Sequence, residues 1–209
     1  MIIDYIAASN QLVDAVQSCL SAAASEYESD KQTSLLKAAS YGKAFCIGIN
    51  PTDFVNVAKK LRILNDLRSE AVGLPLTNQQ YNRLSPDVLI NRLILRNHHY
   101  LVLRICELLC INNSRVLIHW GSEKVKKLSQ SNLSDEDICT QVVSKINTYI
   151  DKNSHVSYIE IAKSAFYKNR KKLAIMFIEH EHNASEQVGY DVFVGLNASL
   201  LLPILLSPM

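Results

Sequence analysis

Helix-start chemistry recurs along this chain at short intervals, and each start leads into apolar residues spaced three and four apart. Thr77 with Gln80 and Ser157 with Glu160 have capping-box spacing. In that motif a hydroxyl accepts the N–H three residues on, and the later side chain accepts the first N–H in return. Ser134 with Asp137 opens a further helix, and Asp30 stands where it can cap another. Asn50-Pro51-Thr52-Asp53 and Ser85-Pro86-Asp87 each set a cap before a first-turn proline, which sacrifices no hydrogen bond there, with an acid behind it at the positive end of the dipole. A chain punctuated this way folds as a string of short helices. With only 6 Gly and 5 Pro in 209 residues it lacks the turn chemistry of an all-β fold.

The apolar positions predict which faces are buried. Between Asp4 and Tyr27 they are Leu12, Val16, Leu20, Ala23, Ala24 and Tyr27; the next helix has Leu35, Leu36 and Ala39, then Phe45 and Cys46. Phe54, Val57, Leu61, Leu64 and Leu67 form the best-defined stripe, which Gly73 and Pro75 bring to a stop. Leu89, Leu93 and Ile94 follow, before Asn97-His98-His99 interrupts. Tyr100 to Ile111 is apolar almost all round, as expected of a helix held between neighbours. Val116, Leu117, Trp120 and Val125 mark a helix over Asn112 to Lys127, and Ile138, Val142 and Ile146 mark one that breaks at Asp151 to Ser154. Ile161, Ala162, Ala165 and Phe166 precede a stop at Asn169; Leu173, Ala174, Phe177 and Ile178 resume at once, so the pair must be an antiparallel hairpin. The expectation is an all-α fold of about nine or ten helices. It is read as an α-solenoid of antiparallel helix hairpins, although no strict sequence repeat is visible.

Charge and chemistry narrow the function. A net charge of +2 lacks the basic excess of a nucleic-acid binder. The densest basic cluster, Arg170, Lys171 and Lys172 with Lys168, reads as solvated surface, with acidic lipid or a partner as the alternative. Five cysteines at irregular spacing form no disulfide framework and read as reduced, packed thiols. Cys106 and Cys110 lie four apart near His98, His99 and His119, but without paired two-residue spacing they read as core, not zinc ligands. His180 and His182 are two apart around Glu181 and point different ways, unlike a metalloprotease pair. Gly42, Gly48, Gly73 and Gly121 are scattered, so no phosphate loop or dinucleotide fingerprint exists. Glu123 and Lys124 read as helix surface, and Trp120 as core, with a partner anchor as its alternative. No catalytic, cofactor or metal residue is predicted, the enzyme class has no motif behind it, and partner-binding residues are not identified.

The C-terminal stretch differs from the rest. From Val192 to Met209 no residue is charged, and Leu200 to Leu206 is strongly apolar around Pro203. It is short of the ~20 residues that span a bilayer. A small peripheral or tail-anchored membrane protein using residues 192–209 is the alternative reading. Met1 to Ala8 has no basic n-region, so it is not a secretory signal.

Several segments in order carry a family resemblance. Ser34-Leu35-Leu36-Lys37-Ala38-Ala39-Ser40-Tyr41-Gly42-Lys43, Leu61-Arg62-Ile63-Leu64-Asn65 and Gly73-Leu74-Pro75-Leu76-Thr77 come first. Leu89 to Arg96, His119-Trp120, Ser134-Asp135-Glu136-Asp137, Glu160-Ile161-Ala162 and Ser185-Glu186-Gln187-Val188 continue it. Together they resemble the vacuolar protein sorting-associated protein 16 family at the start of its C-terminal helical domain. The resemblance implies residues 1–188 as a solenoid segment and residues 189–209 as an apolar tail outside the family fold. It also implies a scaffold subunit of the HOPS and CORVET tethering complexes, peripheral at late endosome, lysosome or vacuole membranes, with only indirect membrane contact. The expected partners are the other subunits and the SM-family subunit, whose binding region in the family lies mostly beyond Val188. The chain departs from the family in having no propeller before Met1 and in turning apolar after Gly189, which reads as a truncated or spliced product or an incorrect gene model.

Overall fold

The computed structural model describes residues 11–46, 49–150 and 154–181. The predicted helical residues before Gln11, the break at Asp151 to Asn153, Gly48, His182 and the tail 189–209 lie outside them. Ten helices occur among the described residues, with no strand: α1 (Leu12–Ser25), α2 (Ser29–Lys43), α3 (Pro51–Arg68), α4 (Asn78–Arg83), α5 (Pro86–Leu95), α6 (His99–Leu109), α7 (Ser114–Leu128), α8 (Asp135–Tyr149), α9 (Ile159–Tyr167) and α10 (Lys171–Glu179). The fold is all-α, and short turns join consecutive helices, as in an α-solenoid. The chain divides into two compact units, Met1–Leu101 and Val102–Met209, with the division inside α6.

In the first unit α1 buries Leu12, Val16, Leu20, Ala23 and Ala24, the stripe read from sequence, and packs along α2. Gly42 makes that approach possible, because a Cβ there would stand 2.7 Å from Val16 Cγ2. Tyr27 was expected on the same face but lies beyond the helix, 51% exposed, with the Arg68 guanidinium 3.8 Å from its ring centroid. Asp30 does not cap α2. Glu28 holds the N-cap position without a side-chain bond, and Asp30 sits in the first turn. On α3 Leu61, Leu64 and Leu67 are buried as predicted; Ile63, fully buried, widens the stripe. Asn50 caps it by accepting from Thr52 N at 3.0 Å. The helix stops at Arg68, five residues before Gly73, where the Ser69 hydroxyl donates to the Asp66 carbonyl. Gly73 is needed later, in the turn that follows, at φ +63°. Both bonds of the Thr77–Gln80 capping box form, at 3.1 and 2.9 Å.

Three helices stop by the same device. In each, a left-handed residue lets its own N–H and that of the residue after it fold back onto the last carbonyls. Asn97 (φ 62°) and His98 bond to Ile94 and Leu93; Asn169 (φ 59°) and Arg170 bond to Phe166 and Ala165. Cys110 (φ 55°) and Ile111 bond to Glu107 and Cys106. Asparagine tolerates that conformation, whereas cysteine has no local compensation for it. The intervening α6 buries one face through Val102, Ile105 and Cys106; Tyr100, Arg104 and Glu107 are exposed, so it is not enclosed all round as expected.

The second unit is built round one extended core. Leu117 and Val125 from α7, Ile138, Cys139, Val142 and Ile146 from α8, Ile161, Ala162 and Ala165 from α9, and Leu173, Ala174, Phe177 and Ile178 from α10 form one buried cluster. Gly121 sets the α7–α9 distance: a Cβ there would meet Ile161 Cδ1 at 2.7 Å. Helices of nine residues are marginal alone, so α9 and α10 owe their existence to this packing.

The expected Ser157–Glu160 capping box does not form. The helix begins one residue later, with Tyr158 at the N-cap, which turns Ile161 into the core at the third position. Glu181, 23 residues on, takes the part of the capping-box acid. Its Oε2 accepts from Tyr158 N at 2.8 Å and from the Ser157 hydroxyl at 3.2 Å, while its Oε1 lies 3.2 Å from His155 Nε2. Glu160 instead pairs with Lys163 in solvent. Glu181→Ala strands a buried N–H and is expected to cost about 2–3 kcal/mol. Glu160→Ala removes one exposed ion pair and is expected to cost under about 0.5 kcal/mol. Urea unfolding of the two variants checks the order.

Candidate functional site

The residues singled out for chemistry are dispersed. Cys106 is buried at 1% exposure, but Cys110, expected in the core with it, is exposed just past the end of α6. The four-residue spacing holds only while the helix continues, and the left-handed turn at Cys110 swings its side chain off the stripe. His98, His99 and His119 are half-buried. Among the described residues no group of three or more His, Cys, Asp and Glu is placed to hold a metal ion, and no helix is long and apolar enough to cross a membrane. Trp120 is half-buried and packs against the core of the second unit, as its first reading had it. An open groove of about 330 Å³ in the first unit is lined by Gln17, Ser21, Asp53, Lys60 and Asn78. Lys60 there donates to Asn82 Oδ1 at 2.9 Å.

The basic cluster is where the structure departs most from the sequence reading. Arg170 is not solvated surface. Its Nη1 donates to the Leu133 carbonyl (3.0 Å) and to Asp135 Oδ1 (2.8 Å), and its Nη2 to the carbonyls of Ser131 (2.9 Å) and Ser129 (3.3 Å). One planar fork thus gathers the whole loop between α7 and α8 onto the α9–α10 turn. Only arginine has donors enough in a fixed plane for this. Lys172 beside it pairs with Glu136 on α8. That hydrogen bond holds the Glu136 carboxyl below its ordinary range and lifts the Lys172 ammonium above its own. All three lysines of the cluster, Lys168, Lys171 and Lys172, are exposed.

The ionisable groups in this unit therefore hold helices in place. Ser134 Oγ caps α8 by accepting from Asp137 N at 3.1 Å and donating to Asp137 Oδ2 at 2.8 Å. Burial pushes the Cys139 thiol up to about 11, helped by Glu179, so it stays protonated and unreactive near neutrality. What the arrangement supplies is a rigid hairpin framework. No set of convergent reactive side chains is found among the described residues.

Arg170→Ala leaves three carbonyls and Asp135 without their donor and is expected to lower stability by about 2–3 kcal/mol. Arg170→Lys should recover less than half of that, because an ammonium cannot span the four acceptors; thermal unfolding of both variants tests it. In native protein at pH 7.5, a maleimide is expected to modify Cys110 within minutes while Cys106 and Cys139 react only after denaturation. Peptide mass mapping reads the order.

Comparison with known proteins agrees with this framework. The family model described as Vps16, N-terminal region, matches residues 3–56. The vacuolar protein sorting-associated protein 16 homolog of Dictyostelium discoideum is 38% identical over 179 residues, covering 86% of this chain and 21% of the relative. Protein VACUOLELESS1 of Arabidopsis thaliana is 37% identical over 186 residues, covering 89% of this chain and 21% of the relative. Vacuolar protein sorting-associated protein 16 of Saccharomyces cerevisiae is 30% identical over 166 residues, or 76% of this chain and 20% of the relative. This chain belongs to the vacuolar protein sorting-associated protein 16 family, and it spans about a fifth of the length of the curated relatives it matches.

Proposed function

We propose that the chain is a scaffold segment of a tethering complex of the HOPS/CORVET kind, acting in vesicle-mediated protein transport to the lysosome or vacuole. The observation behind this reading is the alignment over 86% of the chain with a protein named for vacuolar protein sorting. The structure is compatible with it: helices, caps and ion pairs hold a framework in which Arg170, Glu181 and the Lys172–Glu136 pair are engaged. In this role the chain is not an enzyme. Residues 1–188 are the solenoid segment, read as the start of the family's C-terminal helical domain, although the model described as the N-terminal region matches residues 3–56. Its partners are other subunits of the complex. The SM-family subunit is a further partner through the complex, and the membrane, of late endosome, lysosome or vacuole, is reached through those partners.

The whole tagged chain, expressed in cells of its source organism and recovered under mild detergent, is expected to bring down HOPS or CORVET subunits identifiable by mass spectrometry. Recovery of none of them, where a full-length family member recovers them in parallel, would count decisively against this role.

A further inference from the structure

We propose that Ser25 accepts a phosphoryl group from an acidophilic serine kinase. Such an enzyme reads acids just downstream of the acceptor with basic residues of its own, so charge complementarity selects the substrate. Among the serines and threonines of this chain, Ser25 and Ser134 alone are followed by an acid at both the first and the third position. These acids are Glu26 and Glu28 in one case, Asp135 and Asp137 in the other. The structure separates the two. Ser134 caps α8, and its acids lie in the first turn of that helix. There Asp135 is held by Arg170, Glu136 by Lys172 and Asp137 by the Ser134 hydroxyl itself. The loop before Ser134 is pinned to Arg170 through the carbonyls of Ser129, Ser131 and Leu133.

Ser25 is placed the other way round. It is the exposed last residue of α1, and its hydroxyl donates to the Ser21 carbonyl at 3.1 Å, in the turn where a helix frays first. The residues its kinase must read lie outside any helix: Glu26 and Glu28 are extended, with ψ of 147° and 118°. Side chains two apart on an extended segment point the same way, so both acids face one enzyme surface. The Glu26 carbonyl, which accepts from Gln32 Nε2 and Arg68 Nη1, keeps the segment in that shape. The side chain of Glu28 is 57% exposed and pairs with Lys31 in solvent. Ser25 also lines the open groove of the first unit, together with Lys60 and Asp53. The groove gives the phosphate room, with Lys60 as its cationic neighbour and Asp53 opposing it. In the step itself the γ-phosphoryl group of ATP passes to Ser25 Oγ, its bond to the departing ADP breaks, and the hydroxyl proton goes to the kinase's base. The product adds about −1.5 to −2 charges at the negative end of α1, which loosens its last turn. The inference stands apart from the tethering role.

The test incubates the purified full chain with casein kinase II and magnesium ATP. Phosphopeptides are then mapped by mass spectrometry, with fragment ions that separate Ser25 from Tyr27 and Ser29. In the native chain Ser25 is expected to be phosphorylated at least tenfold faster than Ser134. Glu28→Gln, which removes one exposed ion pair, should slow Ser25 at least tenfold at an unchanged unfolding temperature. Glu160→Gln, an exposed acid elsewhere, should leave the rate as it is. Tagged full chain recovered from cells with phosphatase inhibitors should carry the same phosphate, and Ser25→Ala should lack it. Phosphate on Ser134, Tyr27 or Ser29 in preference to Ser25 overturns the inference. A Ser25 rate indifferent to Glu28→Gln overturns it too, as does chain from cells with no phosphate at Ser25.

Discussion

The second unit depends on a guanidinium placed at a helix end. The last carbonyls of a helix have no partner inside it and carry the negative end of its dipole. Ser129 is the residue that closes α7, and its carbonyl, with those of Ser131 and Leu133, converges on Arg170. The backbone of Arg170 completes the turn that ends α9 and stands at the N-cap of α10. One residue therefore ends α9, starts α10 and fixes the loop between α7 and α8. The first unit uses the same chemistry in Arg68. Its Nη1 donates to the carbonyl of Glu26, which closes α1, and its Nε to that of Leu76, both at 3.1 Å. Its remaining Nη2 is buried without a hydrogen-bond partner. A delocalised, weakly hydrated cation lying against the Tyr27 ring bears that burial better than an ammonium would.

Such interactions also mark what the sequence could disclose. Thr77 with Gln80, Asn50 before Pro51 and Ser134 with Asp137 were legible because each cap and its donor lie within one turn. Local geometry decides them whatever the rest of the chain does. Arg170 was not legible, since its acceptors lie 35 to 41 positions away and three of its four are main-chain carbonyls, which every residue carries. Glu181 hid for the same reason, behind a nearer and apparently sufficient acid at Glu160. Shifting the start of α9 by one residue buries Ile161 fully, and tertiary packing outweighed an exposed cap. The error at Cys110 was of another kind: periodicity extends a stripe past the point where the backbone leaves the helix.

Helix spacing was legible only in part. The stripes of α1, α8 and α10 matched their buried residues because the 3.6-residue period carries that information. How close two helices stand depends on which residue at the crossing lacks a side chain. Gly42 and Gly121 look like isolated glycines in sequence, yet each meets a branched side chain at 2.7 Å if given a Cβ. Glycine costs each helix up to about 1 kcal/mol in propensity. The contact of Val16 and Ile161 with the neighbouring backbone offsets that.

Function follows from how the polar groups are engaged. A reactive centre needs titratable side chains that converge on a space and keep an atom free for a substrate. Here Asp135, Glu136 and Glu181 each hold a cation or a backbone N–H from another segment, and burial keeps the Cys139 thiol protonated. Gln32 and Asn65 likewise satisfy each other, at 3.1 and 2.7 Å, across α2 and α3. Polar groups committed in this way give each unit one defined arrangement. Tyr41 at the end of α2 and Phe45 in the turn after it stand apart from them, touching edge to face while more than half exposed.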